Sequence, residues 1–288
     1  MKNIQSGNVG VIHLRHWMTL FSSVALSAFV TPVLAGPFAP AAGQSGSDAV
    51  GWNSPSIVAW ATGYQNYVIG SNVDATWQTP QRGLGQAGNS DGNNAGFTYD
   101  IVSLGNGGSL TLTFAQPITN GAGADFVVFE NGFSDNFLEL AFVEVSSDGI
   151  NYTRYPNFSF TASPVSAYGT VDPTNISGYA SKYKGGFGTP FDLDVLANTP
   201  GLDINAITHV KLVDIVGGTV YDSYPAQFGG PNVIYDPTPT TGSGGLDLDA
   251  VGVIHQATPP PYSPPNGPFP LDASYKGSVI RDVSNQGE

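Results

Sequence analysis

Residues 109–114, Ser-Leu-Thr-Leu-Thr-Phe, set Leu110, Leu112 and Phe114 against Ser109, Thr111 and Thr113. This period-two alternation predicts a strand with one face on a core. Further strands are predicted at 99–104, 125–130, 139–146, 151–155, 208–216 and 246–255, each bounded by Gly, Asn, Asp or Pro clusters. Asp148-Gly149 lies between two of these runs, and both residues adopt positive φ cheaply, so a tight antiparallel hairpin is expected there. No long window carries apolar residues at helical spacing, and 37 glycines and 22 prolines accompany few charges. The pattern predicts an all-β sandwich with long loops. Two stretches, 158–205 and 217–245, lack regular alternation and are expected as surface excursions, the second lying over the same end of the sandwich as the first.

The amino terminus adds an address. Lys2 and Arg15 precede an apolar run from Trp17 to Val30, and Val33-Leu34-Ala35 offers a small residue for cleavage, so residues 1–35 read as a signal peptide. The β domain is then expected over 36–256. A proline-rich tail, ATPPPYSPPNGPFP and onward, follows over 257–288 without an apolar anchor. After cleavage seven basic and 22 acidic residues remain, a net charge of −15 with histidines neutral. Such a balance disfavours nucleic acid and anionic membrane and suits cations or neutral polymers. With no cysteine in the chain, disulfides and thiolate metal sites are excluded, and a core, helped by a bound ion, must supply stability.

Parity brings out candidate chemistry. Glu130 shares a strand face with Phe126 and Val128, and Glu144 shares one with Phe142 and Ser146. Asp214 shares a face with Val210 and Leu212, and Asp247 and Asp249 lie opposite Leu246, Leu248 and Ala250. A carboxylate inside a half-buried strand needs a partner, because an unpaired buried charge costs several kcal/mol or more. Ca²⁺ takes six to eight oxygens, so Glu130, Asn131, Asp214, Asp247 and Asp249 are candidate ligands. The competing reading turns each acid to solvent on the outer face of its sheet. Asn89, Asp91 and Asn93 also alternate, with Asp100 at the last-ligand spacing of an EF-hand loop, but Asn94 stands where that loop needs glycine. A turn is favoured there, with a calcium loop of another kind as the alternative.

Catalytic candidates are few. Only His209 and His255 survive processing, neither beside a serine motif, and both are expected at strand edges. A glycosidase built on Glu130 and Glu144 would need the fold to bring them together. Tyr179, Tyr183, Tyr221, Tyr224 and Phe228 offer stacking faces for a sugar, or alternatively pins that hold the excursions to the core.

VEVSSDGINYTRY, ITHVKLVDIV and LDLDAVGVI resemble the hairpin, penultimate and closing strands of galactose-binding-like jelly rolls of the discoidin type. That resemblance implies a sandwich of about eight antiparallel strands, binding sugars, lipids or proteins through loops at one end, often beside a structural calcium. It places the calcium near Asp91 and Asp249. More narrowly, SLGNGGSLTLTF, DFVVFENGF, KYKGGFGTPFDLDVL and GGLDLDAVGVIH are similar to a family of bacterial secreted or cell-surface proteins associated with PEP-CTERM sorting tails. No such tail is seen here, which leaves secretion as the expectation and supplies no anchor. The expected protein is a secreted or surface-displayed, calcium-stabilised, non-catalytic module whose ligand is a glycan. A carbohydrate-active hydrolase, a matrix protein and an accessory for corrinoid uptake are the competing expectations.

Overall fold

A computed structural model describes residues 35–88 and 99–259. The expected leader apart from Ala35, the tail from residue 260 onward and the segment 89–98 with Asp91 lie outside the described residues. Seven strands of five or more residues form the frame: β1 Gly63–Val68, β2 Ser109–Ile118, β3 Phe126–Glu130, β4 Ala141–Ser146, β5 Phe187–Phe191, β6 Ile207–Asp214 and β7 Asp247–Val253. The only helices among the described residues are single 3-10 turns, so none is long and apolar enough to cross a membrane.

The strands form two antiparallel sheets packed face to face. One runs Val50–Gly51, β5, β3, β7, Ala59–Trp60, with Val102–Ser103 also on β7. The other runs Tyr179–Ala180, β4, β6, β2, β1, with Thr153–Arg154 also on β4. Leu110, Leu112, Val143, Val145, Val210 and Leu212 from the second sheet meet Phe126, Val128, Leu248, Val251 and Val253 from the first, all buried. Removing each large side chain from water stabilises by roughly 1.5–3 kcal/mol, and this shared layer is what makes the sandwich hold. The alternation at 109–114 is realised, with Phe114 packed at the edge of that layer. The Asp148-Gly149 hairpin is also realised: Glu144 pairs with Arg154, Val145 with Thr153, and Gly149 has φ 73°. The Asp148 carboxylate caps the turn by accepting from the amides of Ile150 and Asn151.

Two expectations need correction. The excursion 158–205 is not all surface, because β5 lies between β3 and Val50–Gly51. Its residues, Phe-Gly-Thr-Pro-Phe, escape a period-two search because Gly188 must lack a side chain. A Cβ there would sit 2.2 Å from Val127 and 3.0 Å from the Phe129 ring. Nor is β3 half-buried: Val127 and Phe129 pack outward against Ala250 and a layer of Val50, Trp52, Ile57 and Trp60, so both of its faces are covered. Of the segment 99–104 only Val102–Ser103 pairs as strand, and of 151–155 only Thr153–Arg154.

Where chain ends meet, backbone packing is tight. Gly245 adopts φ 70°, and a Cβ there would meet Asp214 Oδ1 at 2.5 Å and the Gly105 carbonyl carbon at 2.9 Å. Gly245→Ala is therefore expected to destabilise by about 2–4 kcal/mol, read as a lower urea midpoint with unchanged m value.

Candidate functional site: a buried carboxylate layer

β3 and β6 both end in an acid on the inward face, because Glu130 continues the parity of Phe126 and Val128, and Asp214 that of Val210 and Leu212. β7 begins with Asp247 and carries Asp249 at a bulge, where Leu248 pairs with Glu130 and Ala250 with Phe129, leaving Asp249 as the extra residue. Two further acids join them from loops: Glu139, at the end of the β3–β4 connection, and Asp236, in the excursion that returns to β7. All six are at most 5% exposed. Among the described residues no lysine, arginine or histidine makes an ion pair with Glu130, Glu139, Asp214, Asp236 or Asp247.

Neutral donors do part of the work that cations would. Asp214 accepts from the amides of Gly107 and Leu246, each at 2.8 Å. Asp247 accepts from Ser103 Oγ at 2.5 Å, and Glu139 from Thr240 Oγ1 at 2.5 Å. Asp249 accepts from the Gly88 amide at 3.0 Å, and the Asn131 amide donates to the Asp247 carbonyl at 3.0 Å. Two oxygens lack a well-formed hydrogen bond: Glu130 Oε2 and Asp236 Oδ1 are buried, with Ser181 and the Gly132 amide near the first carboxyl group and the Leu140 and Gly217 amides near the second. Such poorly satisfied acceptors in a native interior call for a ligand or a proton.

Burial pushes these carboxyl groups up, and their mutual repulsion adds to it. Asp214 and Asp247 rise to about 7, and Glu139 to about 10, where Asp247, Glu130 and Asp214 reinforce the desolvation. Glu130 is driven well above the carboxylate range by burial and then by Asp247, against the opposing hydrogen bonds of Ser181 and the Gly132 amide, with Asp249 adding a smaller push. Asp236 is raised by burial and by Asp214. The layer accordingly has two ways to lower its energy: hold protons, or hold a cation.

Of the six metal candidates read from sequence, five lie in or at this layer: Glu130, Asn131, Asp214, Asp247 and Asp249. Asp91 lies outside the described residues. Among the described residues no group of three or more aspartate, glutamate or histidine side chains is arranged to hold a metal ion. Glu139 and Asp236 were missed, although Leu138-Glu139-Leu140 isolates an acid between apolar neighbours and is itself a signal.

Glu144 does not belong to the layer. It lies in the other sheet from β3 and on the outer face, where Arg154 binds Oε1 at 2.7 and 3.0 Å and Lys211 approaches Oε2 at 3.1 Å. With Glu130 buried in one sheet and Glu144 turned outward from the other, the two do not form a paired-carboxylate centre. Because both cations are partly exposed, Glu144→Gln is expected to change stability by less than about 1 kcal/mol in a denaturant titration. Glu130→Ala would strip a buried group, so the two mutations separate the roles of the two acids.

The histidines also have structural places. His209 lies inside β6, hydrogen-bonded strands on both sides, rather than at an edge, and its ring meets Tyr152 edge-on. His255 follows β7 and contacts the buried Asp125 carboxylate at 2.8 Å, which also accepts from the Gly121 and Leu193 amides.

The five aromatic candidates divide. Tyr179 and Tyr183 are 0% and 1% exposed, so neither ring can stack on a ligand: Tyr179 packs on Phe142, and Tyr183 bonds Asp48. Tyr224 is wedged between Phe158 and Phe160, and only Tyr221 and Phe228 are broadly exposed. The expectation of a tyrosine platform fails for the first two, since β-pairing of Tyr179 draws that segment into the core.

What fold and site together define is an all-β sandwich with a layer of buried carboxylates closing one end. No family model matches the chain, and no curated protein matches it either.

Proposed function

We propose that this protein is a secreted or surface-displayed, non-catalytic binding module of jelly-roll type, stabilised by Ca²⁺ at the carboxylate layer and recognising a glycan. The observation that carries the reading is the uncompensated charge of that layer, with Glu130 Oε2 poorly satisfied inside it. Hard oxygen donors in excess suit Ca²⁺ better than a transition metal. Glu130 and its nearest acidic neighbour Asp247 would hold the ion, with Asn131, Asp249 and Asp214 beside them, and carbonyl oxygens or waters would supply most of its six to eight ligands. Bound there, the ion would supply positive charge beside Glu130, Asp214 and Asp247, to which no described lysine, arginine or histidine is paired.

A catalytic reading draws less support. The acids sit beneath the surface, and three clefts of about 550, 430 and 350 Å³ are lined by other residues. The loops adjoining the layer bear or touch exposed aromatic residues, Phe133 within 131–140 and Tyr168 through its hydroxyl contact to Thr241 within 237–246, and such loops are where binding function concentrates.

Two measurements test the reading on the mature chain. Isothermal titration with CaCl₂ into chelator-treated protein is expected to show saturable binding, and an array of neutral and acidic oligosaccharides is expected to show a defined set of bound glycans. Absence of any glycan signal removes the binding module; heat-labile release of reducing sugar from a polysaccharide panel would replace it with an enzyme.

A further inference from the structure

The connection from β3 to β4 is suspended between two members of the carboxylate layer, Glu130 and Glu139. Its outer side carries rings. Phe137 stacks on Tyr168 with centroids 6.0 Å apart and planes 18° from parallel, and Phe133 continues the stack at 5.9 Å and 29°. After that stacking Tyr168 is still 60% exposed. Its backbone is left-handed, φ 60°, a conformation that costs a bulky residue on the order of 1 kcal/mol. Its hydroxyl is held by Thr241, Oγ1 at 2.9 Å and the amide at 3.2 Å. The ring is thus clamped at both ends with a broad face turned outward.

Directly beside these rings lies the cleft of about 550 Å³, built from the same two chain segments and walled on a third side by Pro40 and Ala41. The segments are tied together where the Val171 amide donates to the Asn136 carbonyl at 2.8 Å. Its polar lining includes Gln44, Ser134, Asp135, Asn136, Thr170 and Asp172. Ser134 Oγ donates to Asn136 Oδ1 at 3.0 Å, and Lys184 pairs with Asp135 at 2.9 Å.

We infer that the Phe137–Tyr168 shelf and the cleft beside it form one binding site for a neutral oligosaccharide, which rests on the glycan-binding reading above and assigns it a place. A sugar ring has an apolar C–H face and a rim of hydroxyls, matching an aromatic shelf next to amide, hydroxyl and carboxylate groups. A purely apolar peptide segment would leave the cleft's polar groups desolvated and unpaired. An anionic glycan would meet Asp135 and Asp172 on a chain already carrying a net −13. The site differs from the one expected from Tyr221 and Phe228, which are exposed but present no parallel stack: Tyr224 and Phe228 are tilted by 41°.

The test is titration calorimetry on the full mature chain with neutral hexasaccharides of β-1,4-linked glucose, mannose and xylose, and with an oligogalacturonate as anionic comparator. At least one neutral hexasaccharide is expected to bind, and Tyr168→Gly, which removes the ring and keeps the left-handed backbone cheaply, is expected to weaken it at least about tenfold. Gln44→Ala, an exposed change remote from the core, is expected to weaken it by about threefold, and carries the test should Tyr168→Gly melt early. Tyr221→Ala is expected to bind as wild type. Wild-type binding that survives both shelf and cleft substitutions overturns this site while leaving the glycan module standing. Preference for the oligogalacturonate also overturns it, as does a wild type that binds none of the probes, whereas the glycan module itself falls only if the oligosaccharide array is blank as well.

Discussion

In chelator-treated protein the melting temperature is expected to fall as pH rises from about 5 to about 8, and millimolar Ca²⁺ is expected to restore it at the upper end while adding little at the lower. The sign follows from the layer. Asp214 and Asp247 bind protons up to about 7 in the folded chain and Glu139 up to about 10, whereas all three release them near 4 when unfolded. The folded state holds more protons across this window, so its stability is complete below the unfolded values and is lost as pH climbs through the folded ones. Each such group contributes at most about 1.4 kcal/mol per pH unit between its unfolded and folded values, so the three together set a ceiling on the order of 10 kcal/mol across this window, and a fall of at least roughly 5–10 °C is expected.

His209 opposes this trend, since burial lowers its pKa and favours the neutral ring at higher pH, but it is one partly exposed imidazole against several buried carboxyls. The depressed pKa of Asp148 acts only at more acid pH, outside the window. A Ca²⁺ ion held by this layer would compete with protons for the same oxygens, so its stabilisation would grow with pH. A pH dependence of the stated sign with no calcium effect would identify the layer as a proton-holding network and remove the ion.

Glu130→Gln and Asp247→Asn are expected to raise the stability of the metal-free protein at about pH 8 by about 1–3 kcal/mol and at the same time to abolish its response to Ca²⁺. Each substitution deletes one charge from a repelling set while keeping the volume. For Asp247 the amide can still accept from Ser103, and for Glu130 it offers a donor next to other acids. Ordinary destabilisation at both calcium concentrations would mean that the carboxylates are already satisfied as they stand. Chemical denaturation with and without Ca²⁺ distinguishes the cases, because only a cation site makes one mutation stabilising without calcium and destabilising with it.

How much of this was legible in the chain depends on the range over which each signal acts. The strands β2, β3, β4, β6 and β7 were readable because apolar alternation reports a local period, and Asp148-Gly149 because a turn is a four-residue event. Parity correctly put Glu130 and Asp214 on faces shared with core residues. The same parity, applied to Glu144, could not say which face was inner, because Phe142 is as apolar as Val143; the sandwich buried Val143 and Val145 and turned Glu144 out to Arg154 and Lys211. β5 stayed hidden because Gly188 is required by contacts with residues about sixty positions away.

The chain by itself determined the class: short alternating segments, turn residues between them, no cysteine and a large acidic excess make an all-β domain whose acids must find company. Only the tertiary structure decided which acids meet. Glu130, Glu139, Asp214, Asp236, Asp247 and Asp249 come from three strands and two loops, and their proximity arises when two sheets close on a shared core. It likewise decided that Tyr179 and Tyr183 are core residues while Phe137 and Tyr168 share a surface stack. The reason is physical: side-chain direction within a strand is a local property, whereas burial and mutual repulsion depend on what the rest of the chain places opposite.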